Sequence, residues 1–348
     1  DKVRLAWNLS GTLQMHQPIA VSPPGRRARA YLSWLGGAAA CAALVFAVTH
    51  LSEEKEFIRL LEKVEPFWLG VAFLFQVGTY LVQGLVWRMM TGLAWQRLSL
   101  WRSFELSLAM LFVNQALPSA GISGIALVSG ALRRAGMPPA VVASAVLVDQ
   151  AMYYLAYSLC MAVAFAFAVH QRNLPGWVAL SMLLFVIIGL GTVRFLVALP
   201  GGRMKGLKKA MRRLPKISHL LDLVGQSNPE TFQTRSIRLR ACACHVTIFL
   251  LDAGTIWVAA RALGADPSVG GVFSSFMVSS LFRTIGIMPG GLGTFEAASV
   301  MSLKSIGLPL SVGLSATLLF RGLSFWVPMI PGLISSRRIS ARSRERQE

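Results

Sequence analysis

The stretch Met288-Pro289-Gly290-Gly291-Leu292-Gly293-Thr294-Phe295-Glu296 decides how this chain is read. Apolar residues run up to it and away from it, yet no helix continues unbroken through a proline and three closely spaced glycines. Irregular backbone at membrane depth survives only where it packs within protein or lines a watery cavity. The segment therefore predicts a broken, re-entrant membrane element that presents backbone groups and the Glu296 carboxylate to something polar. A kinked helix whose glutamate escapes to the interface is the alternative.

Composition supplies the membrane. Of 348 residues, 54% are hydrophobic and 14% charged, whereas a soluble domain carries about 25% charged residues. An all-α polytopic membrane protein is expected. The net charge of +19 could suggest nucleic acid. The basic residues, however, sit in loops between apolar spans, as cytoplasmic loops do, so membrane lipids are the expected partners and nucleic acid is not. Cys41, Cys160, Cys242 and Cys244 lie in or beside apolar segments, and Cys242-x-Cys244 is not a metal spacing. No disulfide, metal or cofactor is expected. Asp1 to Gly25 is polar and interrupted by proline, which does not fit a signal peptide.

Working outward gives spans and orientation. Residues 1–30 are expected to be a cytoplasmic segment ending in Arg26-Arg27-Ala28-Arg29, followed by one integral membrane domain over 31–334. Its first span is Tyr31 to His50, and Leu51 to Glu65 alternates acid and base like an amphipathic helix on the outer surface. Further spans are expected at Pro66–Met90, Pro138–Val169, Pro175–Leu199, Ala241–Leu263 and Pro309–Ile334. Phe104–Leu132 is apolar but broken at Leu117-Pro118-Ser119-Ala120-Gly121, and Val269–Leu303 is broken at the opening stretch. Each half is shorter than the roughly 20 helical residues that cross a bilayer, so both predict re-entrant hairpins. The basic loop 200–240 and the basic tail 335–348 then fall on the cytoplasmic side with both termini. A bacterial inner-membrane location follows.

The two broken elements superimpose at a shift of 171 residues: Pro118 on Pro289, Gly136-Met137-Pro138 on Gly307-Leu308-Pro309, and Ser144-Ala145 on Ser315-Ala316. About nine identities in about 37 pairs exceed what biased composition supplies. The repeats are taken as about 104–199 and about 241–334. Three full spans separate the hairpins, an odd number, so the copies enter from opposite faces. Inverted repeats with interrupted helices in matching positions mark alternating-access transporters, and the paired breaks point to the binding site. Duplication kept for packing symmetry is the alternative.

Pro289-Gly290-Gly291-Leu292-Gly293-x-x-Glu296, followed by Gly307, Arg321 and Phe325-Trp326-x-Pro328, resembles the lysylphosphatidylglycerol synthase transmembrane family over roughly Tyr31 to Ile334. That family includes the flippase half of the multiple peptide resistance factor and many stand-alone inner-membrane members. The resemblance implies lipid transport, with phospholipid, hopanoid or isoprenoid-type substrates. Two departures matter. The chain ends 14 residues past Ile334, leaving no room for the soluble aminoacyl-transferring domain. Ser119 to Gly124 also lacks the Arg and Glu that family members often carry there.

Intramembrane polar residues each need a reason, since a charge near mid-bilayer costs at least about 2.5–3.5 kcal/mol. Glu296 begins a helix whose N-terminus favours an anion, so capping and substrate or proton coupling are both open. Arg321 is expected to pair with Glu296 or Asp149, or to meet a lipid phosphate as a guanidinium fork. Arg283, before the second break, is expected to serve the same phosphate or to snorkel. Asp149 and Gln150 lie in the span after the first hairpin, with Gln150 matching Arg321 in the repeat. Asp252 lies near the centre of its span as a counter-ion, proton carrier or structural partner, and His245 is expected to be structural. Asn114 and Gln115, beside Pro118, are placed to satisfy backbone groups at the first break. Pro289, Gly290, Gly291 and Gly293 allow close backbone approach, so their amides are expected to help cradle a phosphate.

These readings converge on a lipid transporter that performs no covalent chemistry, with the site formed by Arg321, Arg283, Glu296, the break glycines, Asp149, Gln150 and Asn114. The alternative is a non-transporting partner that recruits or positions a lipid-modifying enzyme through the loop Arg203–Arg240. An intramembrane enzyme needs a nucleophile beside a base or a metal cluster, and the few scattered histidines and the lack of HExxH do not suggest one.

Overall fold

A computed structural model of the chain describes residues 65–92, 98–117, 121–170, 175–198, 235–285 and 289–344. The span expected at Tyr31–His50, nearly all of the surface helix, Pro118 and most of the basic loop lie outside these residues. The described residues form helices: α1 (Pro66–Thr91), α2 (Leu100–Ala116), α3 (Ile122–Arg134), α4 (Pro139–His170), α5 (Gly176–Ala198), α6 (Arg235–Ala262), α7 (Val269–Ile285), α8 (Thr294–Ser305), α9 (Leu310–Arg321) and α10 (Val327–Arg344). A 3₁₀ turn, Pro289–Gly291, precedes α8, and a π-helical segment, Gly322–Trp326, joins α9 to α10.

Five elements among the described residues are long and apolar enough to cross a membrane: α1, α4, α5, α6 and the α9–π–α10 unit over Leu310–Ile339. The chain is a polytopic membrane protein. Pro66 opens α1 where a helix needs no amide donor, and Ser99 Oγ caps α2 by accepting from the Arg102 amide at 3.3 Å. On α5, Leu180, Leu183, Leu184, Ile187 and Ile188 are exposed, as a lipid-facing helix requires.

The four short helices form two pairs. At 1.5 Å per residue, α2 and α7 reach about 26 Å, and α3 and α8 about 18–20 Å, short of a hydrocarbon core of about 30 Å. Within each pair the limbs pack together, α2 on α3 and α7 on α8. Phe276, Phe295 and Phe320 lock α7, α8 and α9 into one core, with Phe295 and Phe320 stacked at 5.4 Å.

Helix bounds recur at the offset found in the sequence. Adding 171 to Pro66–Thr91 gives 237–262, against 235–262 for α6, and adding it to Pro139 gives 310, the first residue of α9. Gly136 and Gly307 both have φ +93°, and the following amides close the same turn: Met137 donates to Leu132 O and Leu308 to Leu303 O, both at 3.2 Å. A left-handed glycine is the usual way to end a helix there. Among the described residues the correspondence also takes in α1, ahead of Phe104. The packing obeys the exchange: α1 lies on α6, α2 on α10, and α7 on α4.

Two helices run beyond their hydropathy limits. α6 begins at Arg235, inside the expected basic loop, because Ile237 and Ala241 are buried and hold its first turns in place. α10 continues to Arg344 through the expected tail. Backbone hydrogen bonds do not stop at the hydrocarbon edge, and Arg338 on that extension reaches the buried Glu105 of α2 at 3.4 Å.

Candidate functional site

The second break is built by its glycines. Gly290, Gly291 and Gly293 have φ of +62°, +66° and +83°, conformations that L side chains resist. Space excludes a side chain as well: a Cβ on Gly290 would lie 2.3 Å from the Phe325 ring, and one on Gly291 2.4 Å from Arg283 Cγ. The turn delivers the chain into α8, whose N-cap is Gly293 and therefore has no side chain to satisfy the free amides. Glu296 fills the gap. Its Oε2 accepts from the Gly293 amide at 2.6 Å, while its Oε1 accepts from Arg321 Nε at 2.5 Å. Arg321 Nη2 also donates to Gly290 O at 3.1 Å. One guanidinium thus ties α9 to both sides of the break. It lies 4.7 Å from the Phe325 ring and 5.3 Å from that of Phe295, and both members of the pair are buried. Of the partners expected for Arg321, the structure selects Glu296.

Arg283 is held differently. It sits half-buried at the end of α7, 5.9 Å from the Phe295 ring, and makes no ion pair among the described residues. Next to it, Thr284 is exposed and its hydroxyl lies 3.5 Å from that of Tyr157.

Asp149 belongs to a separate pair. Its Oδ1 lies 3.1 Å from His245 Nε2, with both residues buried, and its Oδ2 accepts from Gln150 Nε2 at 3.2 Å. The Tyr153 ring packs edge-on against His245 at 5.6 Å. Asp252 forms a third cluster. Gln76 Nε2 donates to Asp252 Oδ1 at 3.0 Å and to Thr255 Oγ1 at 2.9 Å, and Tyr80 Oη lies 3.4 Å from Gln76 Oε1. Tyr80 also donates to the Ser324 carbonyl of the π segment, as does Gln115 Nε2, both at 3.3 Å.

At the first break, Asn114 Oδ1 accepts from the Gly124 amide at 2.9 Å and so caps α3 from the preceding limb, a backbone-satisfying role. Pro118 lies outside the described residues. α2 packs against the Pro289–Gly291 turn, which brings the first hairpin to the second break.

Sequence reasoning did not single out Gln76, Tyr80, Tyr153, Tyr157 or Glu105. A polar group inside an apolar span was the available signal for Gln76 and Glu105. Nothing local identified their partners, which lie 176 residues away for Gln76 and 233 for Glu105.

Comparison with known proteins agrees with this architecture. A family model described as "Lysylphosphatidylglycerol synthase TM region" matches residues 33–332. A UPF0104 membrane protein, MJ1595, of Methanocaldococcus jannaschii is 24% identical over 298 residues, covering 80% of this chain and 87% of that protein. A phosphatidylglycerol lysyltransferase of Staphylococcus haemolyticus is 37% identical over 65 residues, 19% of this chain and 8% of that protein.

Proposed function

This chain belongs to the lysylphosphatidylglycerol synthase TM region family, and from that premise we propose that it carries a lipid with a phosphate-bearing head group between the leaflets of a bacterial inner membrane. The carrying observation is Arg283, a half-buried cation with no ion pair among the described residues, packed against Gly291 of the break and next to Thr284, whose hydroxyl lies 3.5 Å from that of Tyr157. A guanidinium at membrane depth is costly unless something anionic meets it, and it binds phosphate as a fork. Arg321 is already engaged by Glu296, so the phosphate falls to Arg283, and Arg321 keeps the break in shape. Acyl chains stay in the bilayer while the head group enters between the hairpins. The chain performs no covalent chemistry on it.

The recurring helix bounds support two repeats related by inversion, which rock about the site to open it to one leaflet and then the other. The basic segments support an orientation with both termini in the cytoplasm. Phospholipid, hopanoid and isoprenoid-linked lipids all fit this scheme when they carry a phosphate.

The test is leaflet exchange of fluorescent lipids in proteoliposomes of the purified protein. Wild type should move phosphate-bearing lipids faster than protein-free vesicles, and Arg283→Ala should slow this at least about tenfold, the loss of about 1.4 kcal/mol of binding or more. Its thermal unfolding midpoint should stay near that of wild type. Wild-type rates equal to those of empty vesicles, or full activity in Arg283→Ala, would defeat the reading.

A further inference from the structure

Lipid binding as described leaves one membrane-depth acid unused. Asp252 is half-buried near the middle of α6, and its direct side-chain partner is neutral, the Gln76 amide. The groups around it can be taken helix by helix. From α1, Tyr80 lies 3.4 Å from the Gln76 side chain that holds it, and from α4 the Tyr153 ring packs 5.8 Å from that of Phe249, one turn before it. From α7, Arg283 is brought to the same level: its neighbour Thr284 lies 3.5 Å from the Tyr157 hydroxyl, and the Tyr157 ring lies 4.9 Å from that of Phe249, one turn before Asp252. The charged residue of α9, Arg321, is bound to Glu296. On α6 itself, His245 lies two turns away and faces Asp149. Asp149 and Glu296 are matched to their own partners, so Arg283 and Asp252 are the guanidinium and carboxylate of this region without an ion pair among the described residues.

An anionic lipid upsets that balance. A phosphate on Arg283 puts two negative groups against one positive group in a poorly solvated space, and uncompensated charge there is strongly disfavoured. A proton on the carboxylate restores neutrality. Resting on the transport reading above, we propose that Asp252 takes up one proton whenever an anionic head group occupies Arg283, so that lipid and proton cross together.

The step balances. Water on the side to which the site opens gives a proton to an Asp252 carboxylate oxygen, and the loaded site holds guanidinium, phosphate and neutral acid. On the far side the phosphate leaves, the carboxyl returns its proton to water, and the guanidinium and carboxylate again offset each other. One proton and one lipid anion have moved in the same direction, with no net charge.

The surrounding hydrogen bonds connect this titration to motion. Gln76, Tyr80, the Ser324 carbonyl and Gln115 link Asp252 on α6 to the π segment next to Arg321 and to the end of α2 at the first break. π-helical turns recur at functional sites because they leave backbone groups for side chains to engage. A change of charge at Asp252 therefore bears on both hairpins.

The experiment uses full-length protein in phosphatidylcholine vesicles with a trace of fluorescent phosphatidylglycerol, voltage clamped at zero by potassium and its ionophore, under a gradient of about one pH unit. With one proton per lipid, the labelled lipid should collect in the leaflet facing the alkaline side by about tenfold, and a trapped pH dye should record proton entry that needs the lipid. Asp252→Asn should bring the ratio to about one while exchange between leaflets persists. Asp252→Glu should keep the coupling, which separates loss of the acid from loss of folding. Wild type that equalises the lipid despite the gradient, or Asp252→Asn that still follows it, overturns the proposal and leaves transport standing. Wild type that moves no lipid overturns transport, and this proposal with it.

Discussion

At the first break and at the second, a helix starts among packed helices, and its free amides need acceptors. α3 borrows a neutral acceptor, Asn114, from the limb before it. α8 uses a carboxylate from its own first turn, and that charge then needs Arg321. A neutral cap leaves its surroundings electrically quiet. A charged cap recruits a cation, closes the break on both sides through Gly290 O and presses it against aromatic rings. With Glu296 matched to Arg321, Arg283 makes no ion pair among the described residues, which is why the lipid phosphate is proposed to meet it. In the proposed scheme the first break supports the site and the second one forms it.

The largest effect should come from splitting the charged cap. Glu296→Gln keeps an acceptor for the Gly293 amide but strands Arg321 in a buried setting, which should cost about 3–5 kcal/mol. Adding Arg321→Met should recover most of that loss in thermal unfolding in detergent. Equal melting of the single and double variants would show that the two charges are not coupled.

A smaller loss is expected from Gly291→Ala. The left-handed backbone and the contact with Arg283 should together cost about 1–3 kcal/mol. Because the methyl would push on Arg283, lipid exchange should fall more than stability does. Unchanged exchange with lowered stability would separate the turn from the site.

Asn114→Ala removes one neutral cap and should cost about 1 kcal/mol. It should leave the lipid selectivity of Arg283 unaltered, and a changed head-group preference would contradict the division of labour between the breaks. Gln115→Leu is expected to be mildest, about 0.5–1.5 kcal/mol for one hydrogen bond to Ser324 O.

Much of this architecture was legible in the sequence. Apolar length located α1, α4, α5, α6 and the final span, and proline with glycine located both interruptions. The Gly136 and Gly307 turns were visible as Gly-x-Pro. The site was legible only in part. Glu296 and Arg321 were singled out with each other among their expected partners, whereas Asp149 was not matched to His245, and Gln76 and Tyr80 were missed beside Asp252. The π segment after Arg321 has its signature in Pro328, which has no amide for the carbonyl of Ser324 four residues before it and so leaves that carbonyl to Tyr80 and Gln115.

What the sequence determined by itself is what depends on neighbours along the chain. Burial of apolar side chains in lipid, the missing amide of proline and the backbone freedom of glycine act within a few residues, so they can be read in order. Which charge faces which was decided by tertiary structure. Arg321 finds Glu296 25 residues away, and His245 finds Asp149 96 residues away. Those pairings depend on how helices rotate and slide against one another until buried charges are matched, and that is settled when the whole bundle packs.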